Sequence, residues 1–314
     1  MKLNIMKFYY LLIFSVLFMG GATHATTITN DSIKIQGKFL KGNQFFNGSL
    51  WQFGVKKTEI VKFEIKNGVF SFSLSPSIDP GVYRLQFDES NEKPYVDLIV
   101  DGIEKNIVFE IYLYNIEIFP VFQESIQNRR WYTYLKNTNN GVRRLGGLFN
   151  YLTDFHDTLI DRLVIKTYSL ERDKYYVEFS KFIHDNKNSW CGLLVKNRPY
   201  YFSNLKKAPV PRDFIRKNFF WEDIDTNNPN LINSPLYVEL INIYLDKFYI
   251  NPVENYTDTL KEYNLKKGID VLLEKFSKNT FTKKFITEYL QEYFDKSNKH
   301  EMAVYVNSKA NALN

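Results

Sequence analysis

The fold of the first third of the chain is decided by the stretch Ile60-Val-Lys-Phe-Glu-Ile-Lys-Asn-Gly-Val-Phe-Ser-Phe-Ser-Leu74. Apolar and polar residues alternate on both sides of Asn67-Gly68, which is typical of strands that bury one face. Asparagine and glycine tolerate the positive φ that both central residues of a type I′ turn require. The stretch therefore predicts a β-hairpin that turns at Asn67-Gly68.

The same alternation extends in both directions and predicts seven short strands. They are Ile33–Phe39, Leu50–Phe53, Ile60–Ile65, Val69–Leu74, Val82–Phe87, Tyr95–Val100 and Asn106–Leu113. Residues two apart in a strand share a face, so Phe63 lies beside Ile65 and Phe70 beside Phe72 on the buried side. With Leu85 and Phe87 they form the expected core. Seven strands at this spacing favour an antiparallel β-sandwich or a partly open barrel of about 90 residues.

The apolar pattern changes to helical periods after Pro120. Predicted helices cover Ser125–Leu135, Leu145–Ile165, Leu170–Ile183, Ser189–Lys196, a segment opened by Ser234-Pro235, Thr257–Phe276 and Thr280–Phe294. We expect a break at Asn139-Asn140-Gly141, because these residues favour turns over helix interiors. The sequence thus predicts an α+β protein, with a β-domain over residues 26–120 and an all-α domain over residues 121–314. The expected core of the helical domain contains Trp221, Leu236, Leu240, Ile286 and Leu290.

Residues 1–25 have the pattern of a secretory signal peptide. Lys2 and Lys7 precede the apolar run Phe8–Met19, and small residues follow as far as Ala25. The run is shorter than the about 20 residues that a membrane-spanning helix needs, so cleavage after Ala25 is expected. We therefore predict an exported, periplasmic protein without a transmembrane segment in its mature part. An uncleaved N-terminal anchor is the alternative.

Composition indicates a folded protein and narrows the range of functions. The 314 residues are 44% hydrophobic and 17% aromatic, which suits a large buried core. The formal net charge of +6 falls to +4 without Lys2 and Lys7, and the basic doublets, Arg129-Arg130 among them, are interspersed with acids. They are interpreted as solvated surfaces, so no nucleic-acid partner is predicted.

The one cysteine of the chain, Cys191, lies in Trp190-Cys-Gly-Leu-Leu194. A single thiol excludes an internal disulfide, a zinc site with two thiolates and a Cys-x-x-Cys redox pair. Leu194 occupies the position at which a thioredoxin site has its resolving cysteine. The sequence predicts that Cys191 is a buried structural residue.

Two His-Asp pairs, His156-Asp157 and His184-Asp185, have side chains suited to a divalent metal, with Asp154 and Asp161 nearby. Neighbours on a helix point about 100° apart, so solvated surface is the simpler interpretation. The acids Glu222-Asp223 and Asp225 are interpreted as loop and capping residues, and His300 has no evident partner. No catalytic, cofactor-binding or metal residue is assigned, and no cofactor is predicted.

Several short segments resemble a known family. Ile35-Gln-Gly-Lys38, Val69-Phe-Ser-Phe-Ser73 and Pro80-Gly-Val-Tyr-Arg-Leu85 are similar to the N-terminal β-domain of exported Bacteroidota proteins of the thioredoxin-like, TlpA and AhpC/TSA type. The helical insert of those proteins is similar to Phe219–Asp225 with Pro229–Leu231 and Ser234–Leu236, and to Phe281–Phe294 with the residues that follow. The resemblance covers residues 32–307.

In that family a thioredoxin domain with Trp-Cys-x-x-Cys follows, and no position of this sequence matches its active site. The resemblance therefore implies a non-catalytic binding or interaction protein with a protein or peptide partner. An alternative is a component of thiol–disulfide chemistry that acts with a thioredoxin-like domain on another chain. A second alternative is a helical metal-dependent hydrolase. A truncated gene, a domain of a longer protein and a stand-alone accessory protein are all compatible with an end at Asn314.

Overall fold

The computed structural model describes residues 32–40, 45–87, 94–114, 117–154, 158–198, 220–250 and 257–312. The predicted signal peptide and its cleavage site lie outside these ranges. Among the described helices, none combines the length and the apolar character needed to cross a membrane.

Eight strands form the N-terminal part. They are β1 Ile33–Phe39, β2 Asn47–Gln52, β3 Thr58–Glu64, β4 Val69–Leu74, β5 Gly81–Phe87, β6 Tyr95–Val100, β7 Asn106–Tyr114 and β8 Glu117–Glu124. One sheet has the order β4-β1-β7-β8 and the other β3-β2-β5-β6. Neighbouring strands are antiparallel except for β1 and β7, which are parallel. The predicted α+β fold with an N-terminal β-sandwich is confirmed.

The turn at Asn67-Gly68 forms with the expected geometry, but the hairpin prediction is wrong. Both residues have positive φ, 52° and 76°, and Lys66 and Val69 exchange backbone hydrogen bonds of 2.9 and 3.0 Å. Beyond that bridge the strands separate, because β3 pairs with β2 and β4 pairs with β1. The ring of Phe63 in β3 stacks on that of Phe70 in β4, with centroids 4.7 Å apart. The turn thus joins the two layers of the sandwich, and the aromatic rings fill the space between them.

The sandwich core contains residues from both sheets. Its buried members are Ile33, Ile35, Phe39, Phe45, Leu50, Phe63, Ile65, Phe70, Leu74, Tyr83, Leu85, Phe87, Val96, Leu98, Val100, Ile107, Phe109, Ile111 and Phe122. The predicted core residues Phe63, Ile65, Phe70, Leu85 and Phe87 are among them, and Phe72 packs against the cluster. Gly37 in β1 is required by this packing, because a Cβ atom there would overlap the ring of Phe70.

Strand β8 was not predicted and explains where the strand region ends. Proline cannot donate a hydrogen bond to a neighbouring strand, so Pro120 interrupts the strand signal. It is tolerated because β8 is the edge strand of its sheet and pairs only with β7 among the described strands. The change from strand to helix therefore falls at Ser125, which has a φ of 90°, and not at Pro120.

The helices of the second part are α1 Ile126–Asp154, α2 Thr158–Asp185, α3 Trp190–Lys196, α4 Leu236–Leu245, α5 Asp258–Lys275, α6 Thr280–Lys296 and α7 His300–Ala312. The predicted break at Asn139-Asn140-Gly141 is wrong, since α1 runs through it. Gly141 is buried against the ring of Tyr175 in α2, and this packing outweighs the low helix propensity of the three residues. The predicted gap between Ile165 and Leu170 is likewise helical, and α7 was not predicted.

A second hydrophobic cluster lies among the helices and includes the predicted residues Trp221, Leu236, Leu240, Ile286 and Leu290. Val82 and Ile99, on the outer face of the second sheet, belong to the same cluster. That face of the sandwich is therefore covered by the helical part.

Candidate functional site

A groove of 420 Å³ lies between α1 and α2. The two helices are antiparallel, because Arg130 near the start of α1 contacts Asn186 just after α2, while Gly141 further along α1 contacts Tyr175. The groove is lined by Arg129, Arg130, Thr133, Tyr134, Asn137 and Thr138 from α1, and by Tyr175, Glu178, Phe179, Lys181, Phe182, Asp185 and Asn186 from the α2 side. These positions recur at three- and four-residue intervals, so each helix contributes one continuous face.

The floor of the groove is aromatic. Tyr175 is buried, while Tyr134, Phe179 and Phe182 are half-buried. The rings of Tyr134 and Phe182 pack with their centroids 4.8 Å apart. Burial raises the pKa of Tyr134 above its ordinary value, so the phenol is neutral at physiological pH. The floor can therefore accept apolar side chains.

Two arginines at one end of the groove are held by neutral oxygen atoms. Arg129 donates from Nε to the carbonyl of Phe122 at 3.0 Å, and its guanidinium also contacts the carbonyl of Gln123. Arg130 donates from Nη1 to Oδ1 of Asn186 at 2.8 Å. The guanidinium groups are thus oriented without losing their positive charge to a carboxylate.

The charges of the groove lining are mostly positive. Arg129, Arg130 and Lys181 are its cations, and Glu178 and Asp185 are its carboxylates, so the lining has an excess of one positive charge. Within the described residues, no ion pair involves Arg129, Arg130 or Lys181. The two arginines therefore keep their positive charge available to an acidic group.

The start of α1 is fixed to the edge strand β6. Oδ1 of Asn128 accepts a hydrogen bond from Ile99 N, and Nδ2 donates to Ile99 O, both at 2.8 Å. One turn later, the Tyr132 hydroxyl donates to Asp97 O at 3.0 Å and accepts from Asp97 N at 3.2 Å. The two side chains take the place of a further strand, so the groove is built on a rigidly attached helix.

A charged cluster lies where the second sheet meets α4. The Arg84 guanidinium forms two hydrogen bonds with Asp97, at 2.7 and 2.8 Å, and its central carbon lies 3.7 Å from the Tyr95 ring centroid and 5.0 Å from that of Phe53. Glu239 of α4 lies 3.8 Å from Arg84. The cluster connects the sandwich to the helical part through charge and stacking.

Burial dominates the electrostatics of this cluster. It raises the pKa of Glu239, against the opposing influence of Arg198 and Arg84. It also lowers the pKa of Lys57, with repulsion from Arg84 as the next cause. Because Asp97 and Arg84 already satisfy each other, we interpret the cluster as a clamp between the two parts.

A second groove, of 560 Å³, lies between α5 and α7. Five of its eleven lining residues are charged, and charges in and beside the groove pair with one another. Lys261 lies 3.5 Å from Asp258, and Lys266 lies 2.7 Å from Glu262. This groove lacks the aromatic floor of the groove between α1 and α2, which is therefore the better candidate site.

Cys191 is fully buried, as predicted. Its Sγ lies 3.2 Å from the hydroxyl oxygen of Ser189, the residue that caps α3. Burial is the main cause that raises the pKa of the thiol. The thiolate, which is the nucleophilic form, is thereby disfavoured.

The other candidate residues do not assemble into a site in the described part of the chain. His184 is exposed and contacts Asp185, whereas His156 and Asp157 lie outside the described residues. No described group of three or more His, Cys, Asp or Glu side chains could hold a metal ion. Asp225 accepts a hydrogen bond from Asn227 N at 3.3 Å, which agrees with a turn. His300, for which no partner was expected, lies 3.0 Å from Asp295.

Sequence reasoning did not identify the groove, although the predicted helix Ser125–Leu135 already places Arg130 and Tyr134 on one face. The doublet Arg129-Arg130 is interpreted there as solvated surface because basic doublets are interspersed with acids along the chain. The pairing of that face with α2 has no local signal in the sequence.

Comparisons of the chain with protein-family models, with curated proteins and with solved structures give no match.

Proposed function

We propose that this chain is an exported, non-catalytic binding protein that holds a segment of a protein or peptide partner in the groove between α1 and α2. The observation that carries the proposal is the aromatic floor beside two arginines that neutral oxygen atoms hold in place. Half-buried rings provide apolar contact area at low cost in conformational entropy, and oriented cations provide specificity.

The resemblance to thioredoxin-like proteins supports a partner from thiol–disulfide chemistry. In this proposal the redox step belongs to the partner, since the chain has one cysteine and burial raises the pKa of its thiol. The protein alone should therefore reduce insulin with dithiothreitol no faster than the reagent blank. Turnover above the blank that disappears in Cys191→Ser would show that the thiol is catalytic.

Export is the second element of the proposal, and it rests on Lys2, Lys7 and the apolar run before Ala25. N-terminal sequencing of protein recovered from the periplasm should give Thr26 as the first residue. Mature protein that retains Met1 would contradict both the cleavage and the export argument.

Binding in the groove is tested by selecting displayed random peptides on the full chain. Thr133 is exposed in the groove, so Thr133→Trp should fill the site without removing a packed side chain. Thr167 is an exposed threonine of α2 outside the groove, so Thr167→Trp is the matched control. Selected peptides should bind the wild type and the control equally and bind Thr133→Trp at least about tenfold more weakly. Equal binding to all three proteins would place the peptides elsewhere and refute the proposed function.

A further inference from the structure

We infer that the partner segment is an amphipathic helix with acidic residues at the end that faces Arg129 and Arg130. This inference rests on the proposed function and specifies the chemistry of the occupant. It follows from the walls of the groove, from its length and from the distribution of its charges.

The walls favour a helix over an extended strand. The walls are the helices α1 and α2, and inside a helix every backbone N–H and C=O group is already hydrogen-bonded. A bound strand would therefore find no backbone partner in the walls. A bound strand would leave its own backbone groups without partners beside an apolar floor, which is costly. A helix satisfies its backbone internally and can pack its side chains between those of α1 and α2.

The length of the groove fits a short helix. The lining positions run from Arg129 to Thr138 on α1, which corresponds to a rise of about 14 Å at 1.5 Å per residue. About two and a half helical turns can therefore lie along the groove, with apolar residues at every third or fourth position facing the Tyr134 and Phe182 rings.

The charges favour acidic residues at one end. Arg129 and Arg130 are already oriented by the carbonyl of Phe122 and the amide of Asn186, so a carboxylate can bind them without a further cost of ordering the side chains. Lys181 adds a third positive charge on the opposite wall. The two acids of the lining, Glu178 and Asp185, are outnumbered by these three cations.

Three synthetic peptides test the inference on the full chain. The first has about four helical turns, with leucine on one face and glutamate on the others. The second has lysine in place of every glutamate, and the third has the first composition with two central prolines. Fluorescence anisotropy should show binding of the glutamate peptide that weakens with added salt, and at least about tenfold weaker binding of the other two.

A matched pair of variants links the effect to the groove. Arg130→Gln/Lys181→Gln removes two cations of the lining, and Lys166→Gln/Lys174→Gln removes two exposed lysines of α2 outside it. The first double variant should bind the glutamate peptide about fivefold more weakly than the wild type, whereas the second should differ by less than about twofold. Circular dichroism melts of both variants check that the fold is retained.

The outcomes separate this inference from the proposed function. If the lysine peptide binds as well as the glutamate peptide, or if both double variants behave alike, the charge argument is wrong. If the proline peptide binds equally, the helix argument is wrong, and if no peptide binds, the whole inference is wrong. In each case the proposed function is retained if Thr133→Trp weakens the binding of the selected peptides, and it is refuted if this variant binds them as well as the wild type does.

Discussion

The interior of the β-sandwich and the hairpin of α1 and α2 are both rich in aromatic residues but use them differently. In the sandwich, the ring of Phe70 has its centroid within 6.5 Å of five other phenylalanine rings. In the hairpin, Leu145, Tyr168 and Tyr175 form a small separate cluster. The sandwich buries most of these rings, whereas the hairpin leaves Tyr134, Phe179 and Phe182 half-buried and able to contact a partner.

The difference has a simple physical origin. Two stacked sheets enclose a layer of side chains from both sides, but two helices bury only the stripe along which they touch. Apolar side chains of α2 that point elsewhere stay exposed, and Leu163, Leu170 and Val177 have 67%, 63% and 64% of their surface accessible. Of these two regions, the sandwich therefore buries more of its apolar side chains and the hairpin leaves more of them accessible.

The largest expected effect tests the sandwich side of the comparison. Phe70→Ala should lower the free energy of unfolding by about 3–5 kcal/mol, because it removes a buried ring and leaves a cavity between the sheets. Denaturant unfolding of the full chain measures it. Phe119, with 49% of its surface exposed on β8, provides the control, and Phe119→Ala should cost less than about 1 kcal/mol. Equal losses in the two variants would show that the stacked rings do not form the main core.

The next effect tests how the hairpin is attached to the sandwich. Asn128→Ala should lower the free energy of unfolding by about 2–3 kcal/mol, because the buried N–H and C=O groups of Ile99 both lose their partner. Asn137, exposed on the same helix, is the matched control, and Asn137→Ala should stay within about 0.5 kcal/mol. If the two variants are equally stable, Asn128 does not substitute for a strand.

Two glycines of α1 give a smaller effect of opposite sign. A Cβ at Gly141 would overlap the Tyr175 ring, so Gly141→Ala should cost about 1 kcal/mol even though alanine favours helix. A Cβ at Gly146 would contact nothing, so Gly146→Ala should stabilise the helix by about 0.5–1 kcal/mol. Thermal unfolding of both variants measures these two changes in stability. If both substitutions stabilise the protein, α1 and α2 do not pack closely at Gly141.

The sequence predicts the sandwich well because the alternation of strands is a local signal. It identifies the core positions Phe63, Phe70 and Phe87, and it locates the turn at Asn67-Gly68. It does not reveal that β3 and β4 enter different sheets, since a turn specifies only the residues beside it. Strand β8 was missed because Pro120 interrupts the strand pattern. An edge strand such as β8 tolerates this proline.

For the helical hairpin of α1 and α2, the local sequence predicts the wrong structure. Asn139, Asn140 and Gly141 favour a turn, and the helix continues there because Gly141 packs against Tyr175 of another helix. The groove depends on which helices are neighbours, and that depends on contacts distant in sequence. The division into two domains remains a prediction. Because Pro120 lies inside β8, the fragment from Thr26 to Glu124 tests it by its unfolding.

The smallest effect concerns the charged clamp that joins the sandwich to α4. Burial raises the pKa of Glu239 above its ordinary value of about 4.3. At pH values between the ordinary and the folded pKa, the Glu239 carboxyl is therefore protonated more often in the folded state than in the unfolded state. The free energy of unfolding therefore decreases as the pH rises through this range. At higher pH it keeps the lower value, because Glu239 stays ionised in the folded state.

Glu239→Gln removes this dependence because glutamine stays uncharged. Its stability relative to the wild type should increase as the pH rises from about 4 towards neutrality, by less than about 1 kcal/mol, since 42% of the Glu239 side chain is exposed and solvent screens its charge. Urea unfolding across that pH range measures the difference. Glu288→Gln on α6 controls for the loss of one negative charge from the protein as a whole. If the relative stability of Glu239→Gln instead decreases with rising pH, attraction to Arg84 and Arg198 outweighs burial, and the clamp holds α4 by charge pairing at neutral pH.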